Sequence, residues 1–458
     1  MNYFKYLILL SLSLFFLATS CSEETTNREQ LSESVVDAGS KTIPEKKIIV
    51  EKKTIPEKKI IVEKKIIPEK KSIDKSYFSE AWLRQMLQKI AADDTNGRDE
   101  GTPGNAKARA RILTVLKACG VKPIQGNSYT QKITTGKGTN ILGLIPGTDP
   151  NLKERHVLLS AHYDHLGNCN GGICNGADDN AAGVATVLAI ACVLAQNPPK
   201  RSILFASWDA EEPPTFLKAS MGSLFYVNHP IIPLGKIDVA IVLDLVGSGL
   251  WKNYKGHFLL GSELSPQVKD AVDATTVPKG LSVYTGGLHL VESTVQGKMP
   301  WSDYHGFRNQ KVPVLFLSNG QNKRYHTPID EIATLDFPKM SLQTEYLYGI
   351  VQNLGNAKTT PRFNPNGNIY KRDADTAASV LSATLASGGL ADILNLKAIS
   401  RKKLQASLSA AQAIQAKLKQ GQTQLTSQEL KSLRYAIQRI MCYSGPTYSE
   451  SFCNLVMP

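Results

Sequence analysis

The sequence VLLSAHYDHLG, residues 157–167, joins a short apolar run to a histidine and an aspartate. Residues 157–161 have the length and composition of a buried strand, and His162 follows them directly. Asp164 stands two residues further on, where its carboxylate can accept the second imidazole proton and fix the tautomer. The stretch therefore predicts a strand that ends in a metal-binding histidine.

Three further apolar runs have the same character, because each is short, rich in β-branched or aromatic residues, and bounded by polar residues. They are ILFASW (203–208), VAIVL (239–243) and VLFL (314–317). Such runs are typical of buried strands. The Ala-, Val- and Leu-rich segment 180–196 predicts a helix before the first of them. We therefore predict an α/β fold with a mostly parallel mixed sheet sandwiched by helices.

Five candidate metal ligands are spread over more than 160 positions, and four of them closely follow apolar runs. They are His162, Asp179, Glu212, Asp244 and His326. In open α/β sheets, ligands bind in the crevice beyond the carboxyl ends of the strands. Residue type and position therefore both predict a metal site at that edge of the sheet.

Two acidic motifs supply most of these carboxylates. In GADDNAAG (176–183), one aspartate is expected to face the crevice while Asn180 caps the following helix. WDAEE (208–212) places Glu211 and Glu212 immediately after a strand. One of these two carboxylates can bind metal while its neighbour stays free to transfer protons.

Several motifs together resemble the co-catalytic di-zinc aminopeptidase family, which includes bacterial leucyl aminopeptidases and, more distantly, glutaminyl cyclases. The resemblance covers roughly Tyr77 to Asn356. It is carried, in chain order, by NGRDEGTPG, GTNILGLIPGT, HYDHLG, GADDNAAG, DAEE, IVLDLVG, SDYHGF, KVPVLFL and YHTPID. It implies the phosphorylase/hydrolase-like fold of the zinc aminopeptidases.

The same resemblance implies that Asp179 bridges two zinc ions and that Glu211 is the general base. The remaining implied ligands are His162 and Asp244 for one ion, and Glu212 and His326 for the other. Imidazoles and carboxylates suit zinc, whereas a closed structural site would favour cysteine. Two such ions about 3.5–4 Å apart acidify a shared water, so the expected reaction is hydrolysis of a peptide bond.

The predicted function is a zinc-dependent exopeptidase, and an aminopeptidase acting on the N-termini of peptides is the leading form. Two alternatives stay open. A glutaminyl cyclase-like enzyme would work with a single zinc. An inactive binding lipoprotein would keep the fold without turnover, although five intact ligands and Glu211 weigh against it.

The chain departs from the family pattern in two places. The link from the acidic pair to Gly-Ser, EEPPTFLKASMGS (211–223), is longer than usual and begins with two prolines. The family's Ser-Asp-His appears as SDYH (302–305), so that Tyr304 stands in the place of the histidine. Neither change removes a proposed ligand. We therefore expect the core chemistry to remain, and the substrate preference stays open.

The first residues have the pattern of an export signal. Lys5 precedes an apolar stretch over 6–16, and Leu-Ala-Thr-Ser then leads to Cys21. This resembles the bacterial lipoprotein signal, which implies cleavage before Cys21 and attachment of lipid to it. An ordinary signal peptide is the alternative. The expected location is the bacterial cell envelope, with membrane contact through Cys21.

Residues 41–75 repeat KTIPEKKIIVEK with a period of twelve, and the regular prolines forbid a long helix. We interpret residues 21–76 as an extended stalk, with a cell-wall or partner contact as the alternative. This repeat has twelve Lys against six acidic residues, and residues 361–458 have twelve basic against five acidic residues. Together they account for the net charge of +13. The rest is balanced, so nucleic acid is not a predicted partner.

Six cysteines remain besides Cys21, and an exported chain can keep disulfides. The pairs that bracket a short turn are Cys169 with Cys174 and Cys442 with Cys453. Both are expected to be local disulfides, and zinc binding by the first pair is the rival interpretation. Cys119 and Cys192 lie in apolar helical contexts and are expected to be buried thiols.

After residue 356 the strand patterns stop and the chain becomes rich in Ala, Leu, Gln and Lys. Leu404, Leu408, Ala411 and Leu418 form one helical stripe. A capping box at residues 426–429 predicts a further helix. The predicted domains are a signal peptide (1–20), a stalk (21–76), a zinc peptidase domain (77–357) and an all-α C-terminal extension (358–458). No protein partner can be inferred.

Overall fold

The structure is a computed structural model that describes residues 73–292, 300–446 and 449–456. The predicted signal peptide, the predicted lipidation site Cys21 and the predicted stalk up to residue 72 lie outside the described residues. They therefore stay predictions.

A nine-stranded mixed sheet is the centre of the fold. Its strands and a small β5–β6 hairpin are, in chain order, β1 (Lys122–Pro123), β2 (Thr130–Lys132), β3 (Thr139–Ile145), β4 (His156–His162), β5 (Asn168–Cys169), β6 (Gly172–Ile173), β7 (Ser202–Trp208), β8 (Ile237–Leu243), β9 (Gly256–Leu260), β10 (Ser282–Gly286) and β11 (Val314–Ser318). The order across the sheet is β1-β3-β7-β4-β8-β11-β9-β10, with β2 beside β3.

The four apolar runs predicted as strands form the parallel centre of this sheet. They lie in β7, β4, β8 and β11, and each of these strands is parallel to the next. Every residue in the four strands is buried, as expected for parallel strands covered by helices on both faces. The outer strands β3 and β9 pair antiparallel with this block. The predicted mostly parallel mixed sheet is confirmed.

Helices pack on both faces of the sheet. Those of the described residues are α1 (Glu80–Ile90), α2 (Pro103–Ala118), α3 (Ala182–Gln196), α4 (Gly222–Asn228), α5 (Pro266–Asp273), α6 (Tyr304–Asn309), α7 (Phe337–Asn356), α8 (Tyr370–Leu385), α9 (Leu390–Ile393), α10 (Ala398–Lys419), α11 (Ser427–Ser444) and α12 (Glu450–Val456). One face of the sheet forms a core with α1, α2, α3, α5 and α7. The other forms a core with α4, α6 and the C-terminal helices.

Helix α3 is the predicted helix between β4 and β7, but Asn180 does not cap it. The residue before the helix, Ala181, makes no side-chain capping bond. The Asn180 amide instead donates to the main-chain oxygen of Leu243 at 2.7 Å. Within the described ranges, one helical stretch, Ala177–Gln196, is long and apolar enough to cross a membrane. It is completely buried, as expected for a core helix.

Disulfides join three pairs of cysteines in the described part of the chain. The two predicted local pairs, Cys169 with Cys174 and Cys442 with Cys453, are confirmed. The prediction that Cys119 and Cys192 are thiols is wrong, because they form a third disulfide. Cys119 directly follows α2 and Cys192 lies within α3. Both helices pack on the same face of the sheet, which brings together two cysteines 73 positions apart.

The C-terminal extension is helical, as predicted, and consists of α8 to α12. Leu404, Leu408 and Ala411 of the predicted stripe are buried, and Leu418 is partly buried. Helix α11 begins with the predicted capping box at Thr426. The extension shares one hydrophobic core with the sheet. The predicted domain boundary between residues 357 and 358 therefore marks a change in sequence composition, and it stays a prediction.

Candidate metal centre

The structure brings the five predicted ligands together at the carboxyl edge of the parallel strands. His162 ends β4, Asp244 follows β8, Glu212 lies beyond β7, Asp179 precedes α3, and His326 lies beyond β11. The four ligands other than His326 are buried, and the His326 side chain is 26% exposed. These side chains therefore lie at the edge of the sheet where the sequence predicted that they would meet.

Asp179 lies between two histidines. Its Oδ1 is 3.4 Å from His162 Nε2, and its Oδ2 is 3.2 Å from His326 Nε2. Asp244 Oδ1 lies 3.7 Å from His162 Nε2, and Glu212 Oε2 lies 3.1 Å from His326 Nε2. The centre thus has two halves, each with one imidazole and one carboxylate, and Asp179 is common to both.

These spacings fit metal ions. In tetrahedral zinc coordination, two ligand atoms that each lie about 2.0–2.1 Å from the ion are roughly 3.4 Å apart. The Nε2 atoms of His162 and His326 are buried and have no hydrogen-bond partner among the described residues. Buried polar atoms are normally satisfied, so two unsatisfied nitrogens that face carboxylates indicate a place for cations. Nitrogen and oxygen donors are also the set that suits zinc.

The pKa values of the ligands reflect a dense, buried group of charges. Burial would raise the pKa of Asp179, but His162 and His326 lower it well below its usual range. Burial would likewise raise the pKa of Glu212, yet His326 and His165 bring it to about 2. For His326, burial acts to lower the pKa, but Glu212 and Asp179 raise it to about 10. Asp179, Glu212 and His326 are therefore held in their charged forms by their neighbours, whereas burial raises the pKa of Asp244.

Glu211 differs from its neighbour Glu212. Its Oε2 lies 3.9 Å from His162 Nε2. Burial raises the pKa of the Glu211 carboxyl well above its usual range; His162 opposes this rise, and Asp303 adds to it. Adjacent glutamates with opposite pKa shifts are typical of a ligand beside an acid–base group. Glu211 is thus suited to accept a proton at the edge of the centre.

Asp164 contacts two ligands. Its Oδ1 lies 3.5 Å from His162 Nδ1, and its main-chain oxygen lies 3.3 Å from the same nitrogen. Its Oδ2 accepts a hydrogen bond from the main-chain nitrogen of Glu212 at 3.1 Å. Asp164 therefore lies beside His162 as predicted, but the hydrogen-bond partner of the imidazole is its main-chain oxygen, and its Oδ1 accepts no hydrogen bond.

Sequence reasoning missed His165. It is fully buried, and its Nδ1 lies 2.7 Å from Glu212 Oε1 and 3.9 Å from Asp179 Oδ2. The available signal was a second imidazole three positions after His162 in the HYDHLG motif. Because His165 engages Oε1 of Glu212, the other oxygen of that carboxylate is left to face His326.

Arg98 is a second residue that sequence reasoning did not single out. It is fully buried, and its guanidinium donates to the main-chain oxygens of Tyr163, at 2.7 Å, Gly176, at 3.0 Å, and Asn175. Burial lowers its pKa to about 10, so it stays charged at neutral pH. Arg98 therefore joins the loop after β4 to the loop that carries Asp179, and it adds positive charge beside the acidic groups.

Three of the ten non-glycine residues with a positive φ angle in the described part of the chain lie at or close beside the proposed ligands. Ala210, Leu245 and His326 have φ angles of 60°, 57° and 56°. Ala210 precedes the Glu211–Glu212 pair, and Leu245 follows Asp244. Non-glycine residues rarely adopt this left-handed region, which costs about 1–3 kcal/mol at each position. Strain of this kind persists where the surrounding structure must hold a functional geometry.

Residues 140–348 match the family described as Peptidase family M28. This segment is an M28 peptidase domain. The uncharacterized protein YfbL of Escherichia coli is 26% identical over 251 residues, which are 49% of this chain and 73% of YfbL. Aminopeptidase YwaD of Bacillus subtilis is 25% identical over 186 residues, 38% of this chain and 38% of YwaD.

Among solved structures, a leucine aminopeptidase precursor from Bacteroides thetaiotaomicron is similar to this chain. The TM-score is 0.48 at 20% identity, and the match covers 62% of this chain and 99% of the other. The M28 match confirms the predicted family and the metallopeptidase class. The number of zinc ions and the roles of single residues stay predictions.

We expect His165→Ala to weaken zinc binding by about ten- to a hundredfold, because Glu212 would lose the group that orients it. His165→Asn, whose amide nitrogen can replace Nδ1, is expected to recover part of the loss. Competition with a chromogenic chelator measures the affinity. His229→Ala, which removes a histidine that follows α4, is the matched control. An unchanged affinity in His165→Ala would show that this contact does not orient Glu212.

Zinc binding is expected to release protons and to tighten as the pH rises. In the metal-free site the pKa of His326 is raised from 6.5 to about 10, and that of His162 is also raised. The His326 imidazole is therefore protonated at neutral pH and must lose a proton to bind zinc, and the raised pKa of His162 acts in the same direction. The apparent affinity is expected to rise about tenfold per pH unit for each proton released.

Chelator competition between roughly pH 6 and 8, together with proton release in weakly buffered solution, measures this dependence. His326→Ala is expected to release one proton fewer than the wild type. An affinity that does not change with pH would contradict the assignment of these imidazoles as ligands.

Proposed function

We propose that this chain is an exported, lipid-anchored aminopeptidase that uses two zinc ions to hydrolyse the N-terminal peptide bond of peptides. One observation supports this above all: the two carboxylate oxygens of Asp179 face His162 and His326 separately. A carboxylate shared between two ligand sets is the arrangement of a two-metal hydrolytic site.

Each side chain has a distinct proposed role. The ligands are His162 and Asp244 for one ion, Glu212 and His326 for the other, and Asp179 for both. When bound, the zinc ions acidify a water molecule and polarise the scissile carbonyl. Glu211 takes the proton from that water and delivers it to the leaving amine. Its raised pKa suits both transfers, because the carboxyl can hold the proton between the two steps.

The charges around the centre favour recognition of a free N-terminus. Glu211 and Asp303 are both buried, and Asp303 is close enough to raise the pKa of Glu211. Such an excess of acid would attract the ammonium group of a peptide. The nearby cation, Arg98, already donates to three main-chain oxygens. Arg98 is therefore not available to pair with the carboxylate of a substrate, which argues against cleavage from the C-terminus.

Export and lipid attachment are supported by the signal-like sequence that ends at Cys21. The three disulfides of the described residues add support, since disulfides persist in oxidising compartments outside the cytosol. Fractionation of cells that express Cys21→Ser checks this part. Retention of that variant in the membrane fraction would contradict it.

A peptide-library digest with zinc and with a chelator tests the activity. We expect zinc-dependent release of N-terminal residues, which N-terminal acetylation blocks. Glu211→Gln is expected to keep its fold and both metals but to lose about a hundred- to ten-thousandfold in rate, because the general base is removed. Glu154→Gln, at an exposed position, is the matched control and is expected to retain wild-type activity.

Three outcomes of this digest would overturn the proposal. Cleavage confined to carboxyl ends would reverse the assigned polarity. Cyclisation of N-terminal glutamine with one zinc per chain would identify a glutaminyl cyclase-like enzyme. Absence of turnover in every arm would favour a binding lipoprotein.

A further inference from the structure

Helix α11 of the C-terminal extension holds the loop at residues 288–292. Gln438 Nε2 donates to the main-chain oxygens of Glu292, at 2.8 Å, and Val291, at 3.4 Å. The Arg434 guanidinium donates to the same loop. Gln438 is only 9% exposed, so removal of its amide would leave buried carbonyl oxygens without a donor.

The side chain of Glu292 connects this loop to the start of α6. The Tyr304 hydroxyl donates to Glu292 Oε1 at 3.1 Å, and the Arg308 guanidinium pairs with the same oxygen. Glu292 is 3% exposed and Tyr304 is fully buried. Hydrogen bonds to a buried carboxylate are among the stronger ones in proteins. The loop and the helix are therefore firmly joined.

Tyr304 also contacts the strand that leads towards His326. Its ring packs against Phe316 of β11, with the ring centroids 5.0 Å apart. Ser302 and Asp303, which directly precede Tyr304, are completely buried. The tyrosine that replaces the family's histidine thus joins Glu292 to the parallel centre of the sheet.

The end of α11 also contacts the loop that leads to His326. Ser444 Oγ donates to the main-chain oxygen of Gln321 at 2.8 Å. In the opposite direction, Lys323 Nζ donates to the main-chain oxygen of Gly445, directly after the helix, at 2.6 Å. The loop that leads to His326 is therefore anchored to the same helix as the loop at residues 288–292.

We propose that α11 is a positioning element of the peptidase site. Gln438, Glu292 and Tyr304 form a chain of contacts that starts at α11. Its far end holds Tyr304 against β11, and the end of α11 holds the loop that leads from β11 to His326. This inference rests on the proposed function and deepens it, because it makes the C-terminal extension part of the site.

A double-mutant cycle between Gln438→Ala and Tyr304→Phe in the full chain tests this chain of contacts. Each single variant is expected to lower kcat/KM by about five- to tenfold, the factor for one lost buried hydrogen bond, with the change mainly in KM. Since both act on one link, the double variant is expected to lose little more than either alone. Ser432→Ala, whose hydroxyl donates to Gln428 within the same helix, is the control expected to match the wild type.

Hydrogen exchange of the metal-free protein supplies a readout that does not depend on activity. Amides of residues 302–309 are expected to exchange about fivefold faster or more in Gln438→Ala and Tyr304→Phe than in Ser432→Ala. Should Tyr304→Phe not fold, Gln438→Glu, which keeps the side-chain size but removes the amide donor, gives the same readout. If the wild type cleaves no peptide, the proposed function fails while the exchange rates still decide this inference. Additive losses in the cycle, or unchanged exchange at residues 302–309, would overturn it.

Discussion

The candidate site depends on one buried carboxylate that faces two imidazoles at once. Asp179 is nearly inaccessible to water, and each of its oxygens lies within 3.4 Å of a different histidine nitrogen. Further carboxylates, from Glu212, Asp244 and Glu211, crowd the same space. Buried acids repel one another and are costly unless cations neutralise them. Metal ions at this position would therefore supply the reaction chemistry and also stabilise the folded edge of the sheet.

The parallel strands explain why ligands so far apart in the chain meet. Strands β7, β4, β8 and β11 run in one direction, so the segments that follow them converge at a single edge. Strained backbone at Ala210, Leu245 and His326 then turns the side chains towards a common centre. The site thus consists of a buried charged cluster, held by strained turns at the edge of the sheet. The last long helix of the C-terminal extension contacts the loops at residues 288–292 and 321–323 on one side of this edge.

The four central strands and the convergence of the candidate ligands that follow them could be predicted, because a buried parallel strand is a local apolar run whose end marks the sheet edge. The contact between His165 and Glu212 could not, since it depends on how two separate loops fold towards each other. The Cys119–Cys192 disulfide was missed because an apolar helix predicts burial without saying which helix is adjacent. At Asn180, a local capping preference gave way to a tertiary hydrogen bond.

The central claim is that two metal ions are held on either side of Asp179. Anomalous diffraction at the zinc absorption edge, from crystals of the full chain grown with zinc, tests it most directly. The account predicts two peaks about 3.5–4 Å apart, one beside His162 and Asp244 and the other beside His326 and Glu212. A single peak, or peaks remote from Asp179, would contradict it.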